Sequence, residues 1–417
     1  MQKPSFNPTT RTAWLVVALL MPVALLNYLD RQMLAAMKYS VMADITSIGT
    51  EQNWGIMLGQ FKWVYAFLSP VGGYVADRFS RRFTICASLF VWSAVTWWTG
   101  HVTGFDELLL ARSLMGISEA FYIPAGLALI ADYHTGQTRS RAVGWHQIAI
   151  YFGVIAGGFG GYVADAPAWG WRLAFDTCGI FGMLYAVPLV LLLPDAPRPQ
   201  GASKMGGASP VRAVGELLAN FSFILMVLYL TLPALAGWIV RDWMPAVLKQ
   251  QFQVGQGPAG VAATFFPQVA AIVGAGVGGW LADSWVRRSP KGRVYASAIG
   301  TGLIAPAVFG LGVSGTLAVA VGFLVLFGLG WGIYDCNNMP ILSQIVRPQL
   351  RATGFGIMNL VSISCGGLAD WGFGVMRDMQ MPLNVIFGIF ASAAGVSSLL
   401  VLLVRPHEGA SGTTHEG

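Results

Sequence analysis

Charge is what this chain has least of. Of its 417 residues, 11% are Asp, Glu, Lys or Arg and 55% are hydrophobic. A soluble domain carries roughly 25% charged residues, so a soluble globular protein is excluded and an all-α integral membrane protein is indicated. Cysteine is scarce as well: Cys86, Cys178, Cys336 and Cys365 are scattered through apolar runs. They form no CxxC pair and no Cys/His metal spacing, which argues against a disulfide framework or a metal site. No nucleophile–base constellation marks an enzyme. Strict period-2 alternation is missing, and with it the signature of a membrane β-barrel. A cleavable leader is also not evident. The first apolar run is too long for one and has no small-residue cleavage site.

What is present is a series of apolar stretches of spanning length. A membrane helix needs about 20 apolar residues. That ruler gives twelve transmembrane helices, near 14–38, 54–76, 83–101, 107–132, 141–164, 172–193, 218–241, 259–282, 294–313, 316–338, 353–375 and 383–404. The longest polar interruption, 194–216, is rich in Pro, Gly, Ser and Ala. It reads as a flexible cytoplasmic linker between a six-helix bundle at 1–193 and a second, with a short tail, at 217–417.

The excess of basic residues, a net +6, fits membrane topology better than nucleic acid. With both termini in the cytoplasm, 17 Lys and Arg face the cytoplasm and five face the other side. That split follows the positive-inside rule. Three basic residues remain inside spans: Arg31, Lys62 and Arg112. The two halves echo each other. GGYVADRFSRR (Gly72 to Arg82) returns as GGWLADSWVRR (Gly278 to Arg288). Such a six-span repeat marks a two-bundle transporter with its substrate near the bilayer midplane, between the bundles.

The stretch NYLDRQ, Asn27 to Gln32, sets two charges inside the first apolar run. An ionisable residue there costs a few kcal/mol unless paired or hydrated, and is a functional candidate by default. Adjacent helix residues point about 100° apart, so Asp30 and Arg31 are expected to find different partners. Arg112, Gly116 and Glu119 stand at i, i+4 and i+7, on one face of the fourth span.

GGYVADRFSRR resembles the loop signature of the major facilitator superfamily. The resemblance implies the major facilitator fold and a gating role for Asp77, Arg78, Arg81 and Arg82, whose bland alternative is topogenic positive charge. Further stretches resemble the superfamily's anion:cation symporter branch, which carries sugar acids, hexuronates and sialic acids. These are NYLDR, FKWVYAFLSPVGGYVADR (Phe61 to Arg78), RSLMGISEAFYIPA (from Arg112), DWMPAVL (from Asp242) and RATGFGIMN (Arg351 to Asn359). LIADYHTGQTRSR (Leu129 to Arg141), with the Asp-Arg and Glu-Ala positions, resembles the Spinster-like lipid carriers instead.

By analogy with the symporter branch, Asp30 and Glu119 are the expected proton-coupling residues. Burial favours a neutral carboxyl and a nearby guanidinium favours the ionised one. A substrate anion that captures the guanidinium would free the acid to take a proton. Arg31 is the expected anchor, because a guanidinium grips a carboxylate through two hydrogen bonds. Tyr28, Lys62, Tyr65, Arg112 and Asn359 complete the expected substrate site. Lys62 departs from the branch pattern, which has an aromatic there. It either adds positive charge for an acidic substrate or neutralises an acid. Static ion pairing of the first and fourth spans is the structural alternative for the whole set. In the second half Tyr334, Asp335, Asn337 and Asn338 cluster before Pro340; polar groups in a bilayer need partners, which implies a cavity there, with the cytoplasmic gate as the alternative place for Asp335.

The sequence thus points to proton-coupled symport of a small organic anion, a sugar acid or related carboxylate, by alternating access. A Spinster-like lipid or lysolipid carrier is the alternative. The expected partners are the substrate, protons and membrane lipids. No cofactor beyond a proton gradient, no metal and no nucleic acid is expected. The expected form is a multi-pass monomer in a bacterial inner membrane.

Overall fold

The computed structural model describes residues 9–134, 137–195 and 210–405. Among these the regular structure is helical throughout. In chain order the α-helices are α1 (Thr10–Ala36), α2 (Lys38–Asp44), α3 (Glu51–Arg78), α4 (Arg81–Thr99), α5 (Phe105–Glu119), α6 (Tyr122–Tyr133), α7 (Gln137–Gly158), α8 (Gly160–Asp165) and α9 (Gly170–Leu192). They continue as α10 (Pro210–Ala219), α11 (Phe221–Asp242), α12 (Met244–Phe252), α13 (Gln256–Val286), α14 (Gly292–Val313), α15 (Leu317–Asp335), α16 (Asn338–Ile345), α17 (Arg351–Asp378) and α18 (Leu383–Leu402).

Ten helical stretches among the described residues are long and apolar enough to cross a membrane. The stretches expected near 54–76 and 83–101 form α3 and α4, of 28 and 19 residues, which are not among the ten. Both carry more polarity than their neighbours. α3 holds Glu51, Lys62 and Arg78, and α4 opens on Arg81 and Arg82. Of the expected linker, 196–209 lies outside the described residues, and 210–216 belongs to helix α10 rather than to a flexible strand of chain.

The helices start where side chains can take up the orphan amides of a first turn. Thr9 accepts from the Thr12 amide at 3.2 Å, Ser80 from Phe83 at 3.1 Å, and Thr316 from Val319 at 3.4 Å. Three of the spanning stretches are interrupted within, Thr138–Asp165 at Phe159 and two others beside a proline. Phe105–Tyr133 breaks between Glu119 and Tyr122, and Leu317–Ile345 breaks between Asp335 and Asn338. A proline follows each of these two breaks, Pro124 and Pro340. Proline has no N–H to give the carbonyl four residues back, so the helical ladder fails there.

The chain divides into two compact units. Unit 1 comprises Met1–Gly49, Ile56–Lys204 and Pro245–Val261; unit 2 comprises Thr50–Gly55, Met205–Met244 and Ala262–Gly417. Within unit 1, α1 packs along α7 and α4 along α9. A buried core of Val16, Leu20, Leu89, Trp92, Tyr122 and Leu129 lies among them. The first turn of α13 is clasped in this unit: Gln256 donates to Asp165 at 2.8 Å and to Ser40 at 2.6 Å, and accepts from the Tyr39 amide at 3.1 Å. Within unit 2, α14 packs along α15 and α18, and α11 along α17 and α18. Here Asp378 caps the first turn of α3, accepting from the amides of Glu51 at 3.0 Å and Gln52 at 2.8 Å.

Candidate functional site

The charges of the first and fourth apolar stretches meet inside unit 1. Arg31 leaves α1 toward α5, where its Nε lies 2.6 Å and its Nη2 2.5 Å from Glu119 Oε2. The Arg31 side chain is 14% exposed and Glu119 is fully buried. Asn27, one turn earlier on α1, also faces Glu119. Asp30 turns elsewhere and accepts from the Thr96 hydroxyl of α4 at 2.9 Å. The two adjacent charges of α1 therefore serve different helices.

Aromatic rings surround the Arg31 guanidinium. Its carbon lies 4.9 Å from the Tyr28 ring centre, 4.6 Å from Phe61 and 5.0 Å from Tyr65. Each ring presents a negative face to the cation, an attraction worth about 0.5–2 kcal/mol depending on desolvation. Phe61 is shared, because Arg112 of α5 lies over it at 4.6 Å. Arg112 is buried, and both it and Arg31 act electrostatically on Asp30 and on Glu119. The two carboxyl groups also act on each other. One unit thus holds two acids and two guanidinium groups in a single coupled set.

Local packing makes the set possible. α5 crosses α3 at Gly116, where an added Cβ would stand 2.8 Å from the Phe61 carbonyl oxygen and 3.2 Å from Val64. Only glycine admits so close an approach. Lys62 is buried on α3, 3% exposed, next to this crossing. Arg31 and Arg112 both face Asp30 and Glu119. One oxygen of each acid, Asp30 Oδ1 and Glu119 Oε1, is buried without a hydrogen-bond donor. A proton added to either acid has a place at that oxygen.

Asn359 belongs to unit 2, where its amide donates to the Phe355 carbonyl at 3.1 Å. The expected gate residues lie at the α3–α4 turn. Arg81 pairs with Asp132 of α6 and donates to the Ala128 carbonyl at 3.3 Å. Arg82 donates to the Val190 carbonyl, and its own amide lies 3.5 Å from Asp195. Arg78 stacks on Tyr74 at 4.3 Å. The side chain of Asp77 lies outside the described residues. In the second half, Asp283, the repeat counterpart of Asp77, pairs with Arg293 at 2.7 Å. Sequence reasoning passed over Thr96, Asn27 and Phe61. A hydroxyl or an amide in an apolar run is a weak signal, and Phe61 was hidden by the charge beside it.

The sequence matches the profile of the Major Facilitator Superfamily over residues 20–369. The chain belongs to that superfamily. It is a multi-pass membrane transporter, not an enzyme. The transporter is 29% identical over 404 residues to protein spinster homolog 3 of Danio rerio, covering 88% of this chain and 78% of that one. It is 26% identical to the sphingosine-1-phosphate transporter SPNS2 of Xenopus tropicalis, over 81% of this chain and 68% of that one. Its fold matches that of a bacterial homolog to the human lysosomal transporter Spinster, solved inward-facing and unoccupied, with a TM-score of 0.77 at 21% identity over 95% and 96% of the two chains. The first and the third carry the Spinster name, the second of the two branches that the sequence resembles.

Proposed function

We propose that this transporter carries an acidic-headed amphiphile, a lipid-like molecule with one anionic group, in exchange for the Arg31–Glu119 ion pair and with a proton. The observation that carries the reading is that pair itself. It is a largely buried guanidinium on a buried carboxylate, boxed by Tyr28, Phe61 and Tyr65 and partly open at Arg31 and Tyr28. An anionic head that takes Arg31 leaves Glu119 buried without its nearest counter-charge, and a proton then neutralises it. Cargo and proton are linked by electrostatics alone. The amphiphile is preferred because one relative is a Spinster protein and another is named for a phosphorylated lipid.

A sugar acid or related small carboxylate is the second reading. It is favoured by Arg112 and Lys62, two further buried cations close to the same α3–α5 crossing. In either case the reading takes α3 and α4 as the spans that complete twelve, with both termini cytoplasmic as the Lys and Arg split indicates. The bacterial homologue supports placing it in a bacterial inner membrane.

Proteoliposomes of the purified protein test the reading. They are given labelled oleoyl lysophosphatidic acid or labelled glucuronate, with and without an imposed pH gradient. Gradient-dependent uptake of the lysolipid supports the first reading, and gradient-dependent uptake of glucuronate alone supports the second. Uptake of either that ignores the gradient overturns proton coupling.

A further inference from the structure

The two spans broken beside a proline are copies of one design. Around the first break the sequence is GISEAFYIP, Gly116 to Pro124; around the second it is GIYDCNNMP, Gly332 to Pro340. Gly-Ile, an acid three residues after the glycine, and a proline five residues after the acid recur in register. The structure repeats the pattern. α5 ends on Glu119 and α15 ends on Asp335, and the next helix begins three residues later in both. Gly116 admits α3, and Gly332 admits α13, whose Ala271 carbonyl would collide with any Cβ there. Asp335 is therefore the counterpart in unit 2 of Glu119.

A cation acts on this acid as well, though one turn out of register with the repeat, which sets Arg31 opposite Gly237. Arg31 has Tyr28 three residues before it on α1 and stacks on it at 4.9 Å. Arg241 has Trp238 three residues before it on α11 and stacks on it at 5.2 Å. Trp238 lies on Gly366 of α17, where a Cβ would strike the indole. Arg241 is the cation that acts on Asp335. The other titratable groups facing this acid are Tyr229 of α11, and Tyr334 and Cys336 beside it in the chain. Asn338 donates to Asp335 Oδ1 at 3.4 Å. Asn338 is 3% exposed and its own Oδ1 has no donor. Asp335 itself is a charge within an apolar stretch of spanning length. A group there with no role would place a carboxylate at membrane depth for nothing.

We propose that Asp335, the repeat counterpart of Glu119, is a second proton site in unit 2, and that Arg241, stacked on Trp238, is the cation beside it that binds an anionic oxygen of the cargo. With its amide turned over, Asn338 would present its oxygen where Nδ2 stands, 3.4 Å from Asp335 Oδ1, to accept the hydrogen of the protonated acid. Each transport cycle then moves two protons. The proposal rests on the proton-coupled reading above for its cargo, but not for its proton.

Two measurements test it. The first needs no cargo. Infrared difference spectra of the purified protein between acid and alkaline pH should contain carboxylic C=O bands from within the spans, one that Glu119→Gln removes and a separate one that Asp335→Asn removes. A difference spectrum unchanged by Asp335→Asn overturns the proton site. The second uses lysophosphatidic acid in proteoliposomes without a membrane potential. Wild-type accumulation should rise with the square of the imposed proton ratio, and Asp335→Asn accumulation with its first power, while exchange of labelled for unlabelled lipid continues. Asp335→Glu should restore the square. A first-power dependence in the wild type, or a square dependence kept by Asp335→Asn, overturns the two-proton cycle. Wild-type protein that moves no lysolipid sinks the cargo reading, and the infrared bands alone then decide the proton site.

Discussion

Glu119→Gln protein should exchange labelled for unlabelled cargo across a vesicle membrane and should no longer accumulate it against a gradient. Glutamine keeps the shape of the side chain and one acceptor oxygen, so Arg31 retains a neighbour. It carries no exchangeable charge, so the step that links cargo to proton is gone. Accumulation should fall to the level of passive equilibration. The same substitution should lower thermal stability, because Arg31 is 14% exposed and pairs with a fully buried group. Breaking a buried ion pair from one side costs about 3–5 kcal/mol, here offset in part by the three rings. Arg31→Gln should be destabilising for the mirror-image reason. The double variant Arg31→Gln with Glu119→Gln should be more stable than the sum of the single losses, since no charge is stranded. Thermal unfolding of the four proteins in detergent reads this cycle. Strictly additive losses would mean that the pair is not coupled.

Gly116→Val should be the most damaging substitution that removes no charge. Its Cβ would stand 2.8 Å from the Phe61 carbonyl oxygen, which belongs to backbone and cannot swing away. Overpacking of this kind costs about 1–3 kcal/mol, and relief requires α5 to move off α3. Glu119 and Arg112 ride on α5, while Phe61 and Tyr65 ride on α3, so the same movement opens the box around Arg31. Transport should fall at least tenfold with the protein still folded. Gly73→Ala, where a Cβ meets nothing within 4 Å, should leave both stability and transport unchanged. Equal behaviour of the two variants would remove the role assigned to the crossing.

The helices were legible because apolar runs of spanning length have few other uses. α3 and α4 were the least regular of them, since their charges dilute the apolar signal. Asp30, Arg31, Arg112 and Glu119 stood out because charge inside an apolar run is costly and rare. The division of labour between Asp30 and Arg31 follows from helix geometry, but the partners do not. Thr96, which bonds Asp30, is one of several hydroxyls in α4, and only packing singles it out. Asp335 is visible as a charge, but its neighbours in sequence leave it between a polar cavity and a gate. Laid over Glu119 through the internal repeat, it takes a different meaning. Lys62 drew attention as the exception to a pattern, while the guanidinium groups of Arg31 and Arg112 both face the acids.

The central claim is that an anionic head displaces Glu119 from Arg31 and that a proton takes the place of the lost charge. Proton uptake on binding tests it most directly. Purified protein in weakly buffered solution with a pH-indicating dye is mixed with oleoyl lysophosphatidic acid. Wild-type protein should take up protons from solution on binding, and Glu119→Gln protein should bind the lipid with a smaller uptake. Binding without proton uptake, or an uptake that Glu119→Gln leaves unchanged, would contradict the account.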